Sequence, residues 1–258
     1  MDGGLASNVG EGSKIFSLSP KIRWLFCFTH PDDEITIAIW IKRLCAAGVE
    51  VHMCWTHSTP IRKAEAVSVA TRLGVPESSL HFLDGNDGQV CDEIQHLLPQ
   101  FRELMARLQP DRVCCGAFEQ GHLDHDATNY VVNQTFNGPV YEIPFYHTYF
   151  IFWLQRFNRF SRPEGQEVLE LTEAEVAEKK AVAKSYPSQN IWSLLLYHEI
   201  GQALLLRAPQ LAKTERMRLQ THKDFRTPSH PPLKSLLVRL SRRWRIWLDA
   251  VEKSGHLK

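Results

Sequence analysis

The sequence lacks most of the features that would assign it to a specialised class. Its 258 residues carry a formal net charge of +1, so no global field draws it to nucleic acid or to an acidic membrane. The six cysteines (Cys27, Cys45, Cys54, Cys91, Cys114 and Cys115) include no C-x-x-C pair and no secreted-style framework. Several lie in apolar runs, where a free thiol behaves as a small hydrophobe, and this usage fits a reducing compartment. No apolar run reaches membrane-spanning length. Residues 1–18 hold Asp2, Glu11 and four glycines before Lys14, not a basic stretch followed by an apolar one. A cytoplasmic protein is expected. There is no internal repeat and no low-complexity tract.

What the chain does have is alternation. Ile22–Phe28, Val49–Trp55, Leu80–Leu83, Arg112–Phe118 and Val140–Phe145 read as buried strands, with helices over Ile35–Ala47, Arg62–Leu73, Asp92–Leu108 and Ala127–Thr135 between them. Strand–helix alternation implies right-handed crossovers and a parallel sheet. The expected fold is α/β and Rossmann-like, a mostly parallel sheet flanked by helices, with a helical C-terminal extension. The expected division is a flexible N-terminus over 1–18, a main domain over 19–195, and an extension over 196–258 packed on it. Near the end, Leu236, Leu240, Trp244, Trp247 and Val251 recur at helical spacing opposite Arg239, Arg242, Arg243 and Arg245. Such a basic helix can touch a membrane surface or an acidic partner. Packing on its own core, with a solvated basic face, is the favoured arrangement.

Two dense polar stretches interrupt this pattern at strand ends. The first is His30-Pro31-Asp32-Asp33-Glu34, directly after the first strand. Pro31 ends the extended segment, and the strand-to-helix passage places these side chains at the carboxyl edge of the sheet, where open α/β proteins hold ligands. His30 and Asp33 are three residues apart and can converge on one point; Asp32 leans over that point from the side. The second stretch, Gly121-His122-Leu123-Asp124-His125, follows the fourth strand at the same edge. His30, Asp33 and one of His122 or His125 would supply two imidazoles and one carboxylate to a metal with open coordination. An acidic helix cap beside a surface histidine explains either stretch alone, but not both at one edge.

These two motifs resemble those of the PIG-L/LmbE-like zinc deacetylases, which act on N-acetylglucosaminyl compounds. The likeness extends through Arg62-x-x-Glu65 and Leu73-Gly74-Val75 to Lys180 and Ser188-Gln189, over about residues 22–190. By motif position it implies His30, Asp33 and His125 as ligands of Zn2+, with Fe2+ as the other candidate, Asp32 as general base, and a protonated His122 stabilising the oxyanion. Asp124 is expected to hold His122 charged. The implied reaction removes an acetyl or other acyl group from an amino-sugar conjugate, a small-molecule partner, with no nucleic acid involved. Three departures stand out. Leu123 replaces a frequent proline, Thr56-His57-Ser58 replaces Thr-Asp-Gly, and Gln120 lies where some members carry a tyrosine near the reacting carbonyl.

Arg62, Asp87 and Gln120 are the candidate substrate contacts; each of the two charges is equally an ordinary exposed one. Glu34 reads as a support for the helix start and His57 and His147 as weaker wall candidates; the aromatic stretch Tyr146–Phe160 reads as core, with a hydrophobic lid or acyl-binding surface as the alternative. The same two-histidine, one-carboxylate set also describes non-haem iron oxygenases, although those place H-x-D on a β-scaffold. A non-catalytic sugar-binding relative is the third reading, against which the intact polar set argues.

Overall fold

A computed structural model describes residues 14–147, 149, 157–205 and 212–255. Among the described residues seven strands form one sheet: β1 (Trp24–Phe28), β2 (Val51–His57), β3 (Leu80–Gly85), β4 (Arg112–Gly116), β5 (Val140–Ile143), β6 (Gln166–Glu170) and β7 (Thr214–Leu219). Their order is β3-β2-β1-β4-β5-β7-β6. The first five are parallel; β7 pairs antiparallel with both β5 and β6. The strand order reverses direction between β1 and β4, so the chain leaves these neighbours toward opposite faces. The crevice between their carboxyl ends is where this architecture accepts ligands, and both polar motifs open there.

β1 shows why the sheet is covered on both sides. Trp24, Phe26 and Phe28 point to one face and Leu25 and Cys27 to the other, and all five are fully buried. The first face packs against α1 (Ala38–Ala46), α2 (Pro60–Leu73) and α5 (Glu173–Ala183). The second packs against α3 (Ile94–Leu108), α4 (Leu123–Thr135) and α8 (Arg242–Gly255). Each large side chain so buried contributes roughly 1.5–3 kcal/mol. Local signals set the helix ends: Thr59 caps α2 through its side chain with Pro60 in the first turn, and Thr172 and Glu175 form a capping box on α5.

The last third departs from the all-helical expectation. Besides α6 (Ile191–Leu204) and α7 (Pro232–Leu240) it contributes β7 to the main sheet. A boundary at 195 falls inside α6, and the sheet continues to Leu219. Thr214-Glu215-Arg216-Met217-Arg218-Leu219 is rich in helix formers, yet edge pairing with β5 and β6 decides its conformation. Glu215 is fully buried; it accepts the N–H groups of Ile39 (3.0 Å) and Trp40 (2.8 Å) and pairs with Lys179 at 2.9 Å. β7 therefore anchors the helix that follows the first motif. Among the described residues no helix is long and apolar enough to cross a membrane.

Candidate metal centre and active site

The first motif folds back on itself as it leaves β1. Asp33, the first residue of a 3-10 segment from Asp33 to Ile37, reaches back with Oδ2 to accept the backbone N–H groups of Thr29 and His30, each at 2.9 Å. That leaves Asp33 Oδ1 facing His125 Nε2 at 3.4 Å. His125 stands in the first turn of α4, and its Nε2 lies 3.3 Å from His30 Nδ1. All three side chains are buried, and their donor atoms lie within 4.8 Å of one another. Three threonine hydroxyls tie the elements together below: Thr128 of α4 meets Thr29 at 2.9 Å and Thr56 of β2 at 3.1 Å.

This donor set suits a divalent cation. Two ligands held about 2.0–2.1 Å from one tetrahedral ion stand about 3.3–3.4 Å apart, which matches the distances of His125 Nε2 from His30 Nδ1 and from Asp33 Oδ1. The other nitrogen of His30 faces carboxylates, Asp87 Oδ1 at 3.2 Å and Asp124 Oδ2 at 3.6 Å. Carboxylates in that position fix the tautomer and orientation of a metal-binding imidazole. Burial alone would lower the His30 pKa, but hydrogen bonds to Asp124 and Asp87 and the charges of Asp33 and Asp32 push it up to about 10. Against the same cost of burial, His125 and His30 hold Asp33 well below the usual carboxylate range.

Asp32 lies beside this cluster in a backbone conformation that non-glycine residues rarely adopt, with φ of 120°. Arg62 holds it there, donating to Asp32 Oδ2 and to the Pro31 carbonyl at 3.1 Å each, while its other nitrogen reaches Asp87 Oδ2 at 3.2 Å. From below, Glu34 accepts the Asp32 N–H at 3.0 Å, the Trp55 indole N–H at 3.3 Å and the Tyr186 hydroxyl. Burial pushes Glu34 up to about 7. For Asp32, burial and the neighbouring Asp33 raise the pKa well above the ordinary value, against the opposing charges of Arg62 and His30.

The remaining expected residues divide. Arg62 is buried and committed to Asp32 and Asp87, whereas the Asp87 side chain keeps 55% of its surface exposed. The expected support of His122 by the Asp124 carboxylate is replaced by a backbone contact. The Asp124 N–H donates to His122 Nδ1 at 3.2 Å, making that ring the cap of α4, while the carboxylate accepts from Gly88 N–H at 2.7 Å and faces His30. A ring nitrogen that accepts a hydrogen bond carries no proton. His122 is accordingly neutral, not protonated, and burial and the nearby His125 lower its pKa to about 4. Its ring lies 5.4 Å from that of His125 and 5.7 Å from that of His30. Gln120 turns away from the site: it adopts a left-handed conformation, and its Oε1 accepts from Ser229 N–H at 3.3 Å. The backbone bend that permits this is unreadable from a single glutamine.

A cavity of about 300 Å³ opens over the cluster. Its polar wall includes His30, Asp32, Asp33, Arg62, Asp87 and His125, and its apolar wall Pro144, Phe145, Tyr146, Phe157, Ile191 and Leu195. The sequence favours core over a lid or acyl-binding surface for Tyr146 and Phe157, because an aromatic run carries no sign of which ring faces a cavity; residues 148 and 150–156 lie outside the described residues. Gly121 lets this wall approach, since a Cβ there would meet the Tyr146 carbonyl oxygen at 2.0 Å. Lys179 and Gln189 line the cavity as well. His57 and His147 are buried, His57 with Nδ1 2.8 Å from the Gly85 carbonyl oxygen.

Residues 25–136 match the family model PIG-L, described as GlcNAc-PI de-N-acetylase. No curated protein is similar enough in sequence to count as a relative. Among solved structures, the chain resembles a deacetylase of the teicoplanin biosynthetic pathway at 16% identity, with 78% of this chain and 99% of that one covered and a TM-score of 0.58. The zinc-inhibited form of teicoplanin deacetylase gives 14% identity, 78% and 99% coverage and a TM-score of 0.54. A deacetylase of the A40926 pseudoaglycone gives 15%, 77% and 96%, and 0.53. At such identities these likenesses speak to the fold, the mixed, mostly parallel sheet flanked by helices. The segment that resembles the PIG-L model holds both polar motifs and the three clustered donors His30, Asp33 and His125.

Proposed function

We propose that this protein is a zinc-dependent cytoplasmic N-deacetylase that hydrolyses the acetamide of an N-acetylglucosamine-type conjugate. The observation that carries this reading is the spacing of His30, Asp33 and His125, with Asp32 on the same cavity wall. His30, Asp33 and His125 would hold a divalent cation, which would supply a water of lowered pKa and polarise the amide carbonyl. Asp32, fixed by Arg62, takes the proton of the attacking water. It then passes that proton to the nitrogen as the C–N bond breaks, giving acetate and a free amine. His122 acts as a neutral donor to the developing oxyanion, a contribution of a few kcal/mol in comparable sites. Asp124 and Asp87 orient His30. Asp87 and Gln189 offer partners for sugar hydroxyls, and the aromatic wall faces the ring. A volume of about 300 Å³ is at the lower end for small-molecule sites, as suits one sugar unit with the rest of the conjugate outside. Six free cysteines, five of them buried, support a reducing compartment.

The test is a panel of N-acyl glucosaminides, assayed for released acetate and free amine with protein before and after metal removal. Metal-dependent release from at least one acetylated sugar is expected. Full metal occupancy with no release from any member would overturn the reading.

A further inference from the structure

The C-terminal apolar stripe does not form one helix. Ser241 takes an extended conformation between α7 and α8 and divides it. The α8 half packs as a core element: Trp247 contacts Phe118 and Tyr130, and Trp244, Trp247 and Val251 are buried. The α7 half does the opposite. Val238 faces inward and is fully buried, while Leu233, Leu236, Leu237 and Leu240 are 71%, 55%, 46% and 72% exposed. With 3.6 residues per turn, these four leucines fall on one arc about 100° wide, on the side away from Val238.

The charges beside this stripe have one sign. Arg239, Arg242, Arg243 and Arg245 are exposed, and no acidic residue occurs from Pro232 to Leu248. The chain as a whole is close to neutral, so the cationic field is local to this surface. We infer that the leucine face of α7, with the arginines at its end, docks on an anionic lipid bilayer. Leucine side chains enter the boundary between headgroups and acyl chains, guanidinium groups stay at headgroup level, and anionic lipids attract each of them. A second copy of the chain is a poorer occupant, because pairing two such faces sets arginine against arginine with no acid between them. The turn before α7 is pinned to the second motif's loop by Ser229 to Gln120, at 3.3 Å, and to Ser161 by His230 at 2.8 Å. This inference stands independently of the proposed chemistry.

The test uses the full chain, sedimented with vesicles of phosphatidylcholine alone or mixed with phosphatidylglycerol, at low and high salt. Binding to the mixed vesicles at low salt, falling steeply as salt rises, is expected. Leu236→Ser with Leu240→Ser, and separately Arg239→Gln with Arg242→Gln and Arg243→Gln, should each weaken it about tenfold or more. All five side chains are exposed, and unchanged circular-dichroism melting will show that the fold is intact. Absence of binding to anionic vesicles at low salt would overturn the inference. So would equal binding by the leucine variant, or a dimer in sedimentation velocity that the leucine variant abolishes.

Discussion

His30 and His125, ninety-five residues apart in sequence, set two ring nitrogens 3.3 Å from each other with Asp33 Oδ1 3.4 Å from the second. Each comes from the carboxyl end of a neighbouring parallel strand, and the only covalent path between them runs through three helices and three strands. An arrangement that brings lone pairs together in a buried pocket is favourable when a shared proton or cation lies among them.

Metal binding should therefore depend on this trio and be visible in stability. Wild-type protein is expected to carry one divalent ion by elemental analysis, and His125→Ala to lose it. With free metal at a hundred times its dissociation constant, binding contributes about 2.7 kcal/mol, which for a chain of this size raises Tm by about 5 °C or more. That shift should be present in wild type and absent in His125→Ala. An equal shift in both would place the ion elsewhere.

The anchor from β7 makes a second prediction, read in unfolding. Glu215→Ala leaves Lys179 buried without its partner and removes the acceptor from the Ile39 and Trp40 N–H groups. Loss of one partner from a buried ion pair costs about 3–5 kcal/mol. Urea unfolding should show a loss of that size; a change under about 1 kcal/mol would mean the pair does not hold α1 in place.

Glu119 gives the pH dependence. Its carboxyl is fully buried, with Ser161 N–H at 2.8 Å and Arg218 at 3.5 Å, and Arg218 is already paired with Glu142 at 2.7 Å. Burial, reinforced by the charge of Glu142 and only partly offset by Arg218, pushes its pKa up to about 8 from 4.5. The folded state thus retains a proton that the unfolded state has released. Its effect on stability is nil below about pH 4.5, grows more unfavourable up to about pH 8, and is constant above that, with a slope of at most about 1.4 kcal/mol per pH unit. Glu119→Gln keeps the acceptor for Ser161 and has no proton to lose. It should match wild type at pH 4.5 and gain on it progressively toward pH 8; a constant difference across that range would contradict the assignment.

The sheet was legible where burial is two-sided. Trp24 to Phe28 is apolar at every position because both faces are covered, and such runs announce parallel strands. Both polar motifs were legible for the complementary reason, since carboxylates and imidazoles interrupting those runs have no packing role. What escaped depends on tertiary context. Thr214–Leu219 is a strand only because β5 and β6 flank it, and Lys179 turns inward through the rotation of α5. The Asp124 carboxylate serves His30 because Gly88 and the loop after β3 come alongside. The Leu236–Val251 stripe reads as one helix until Ser241 breaks it.

The most direct test of the proposed chemistry is the isosteric change Asp32→Asn. Asp32 lies at the cavity beside the metal trio but outside it, so the substitution should leave metal content and melting of the loaded protein close to wild type. Acetate release from the best N-acetyl glucosaminide should fall at least about a hundredfold, the scale of general-base catalysis. Wild-type turnover by a fully loaded Asp32→Asn protein would show that this carboxylate is not the base.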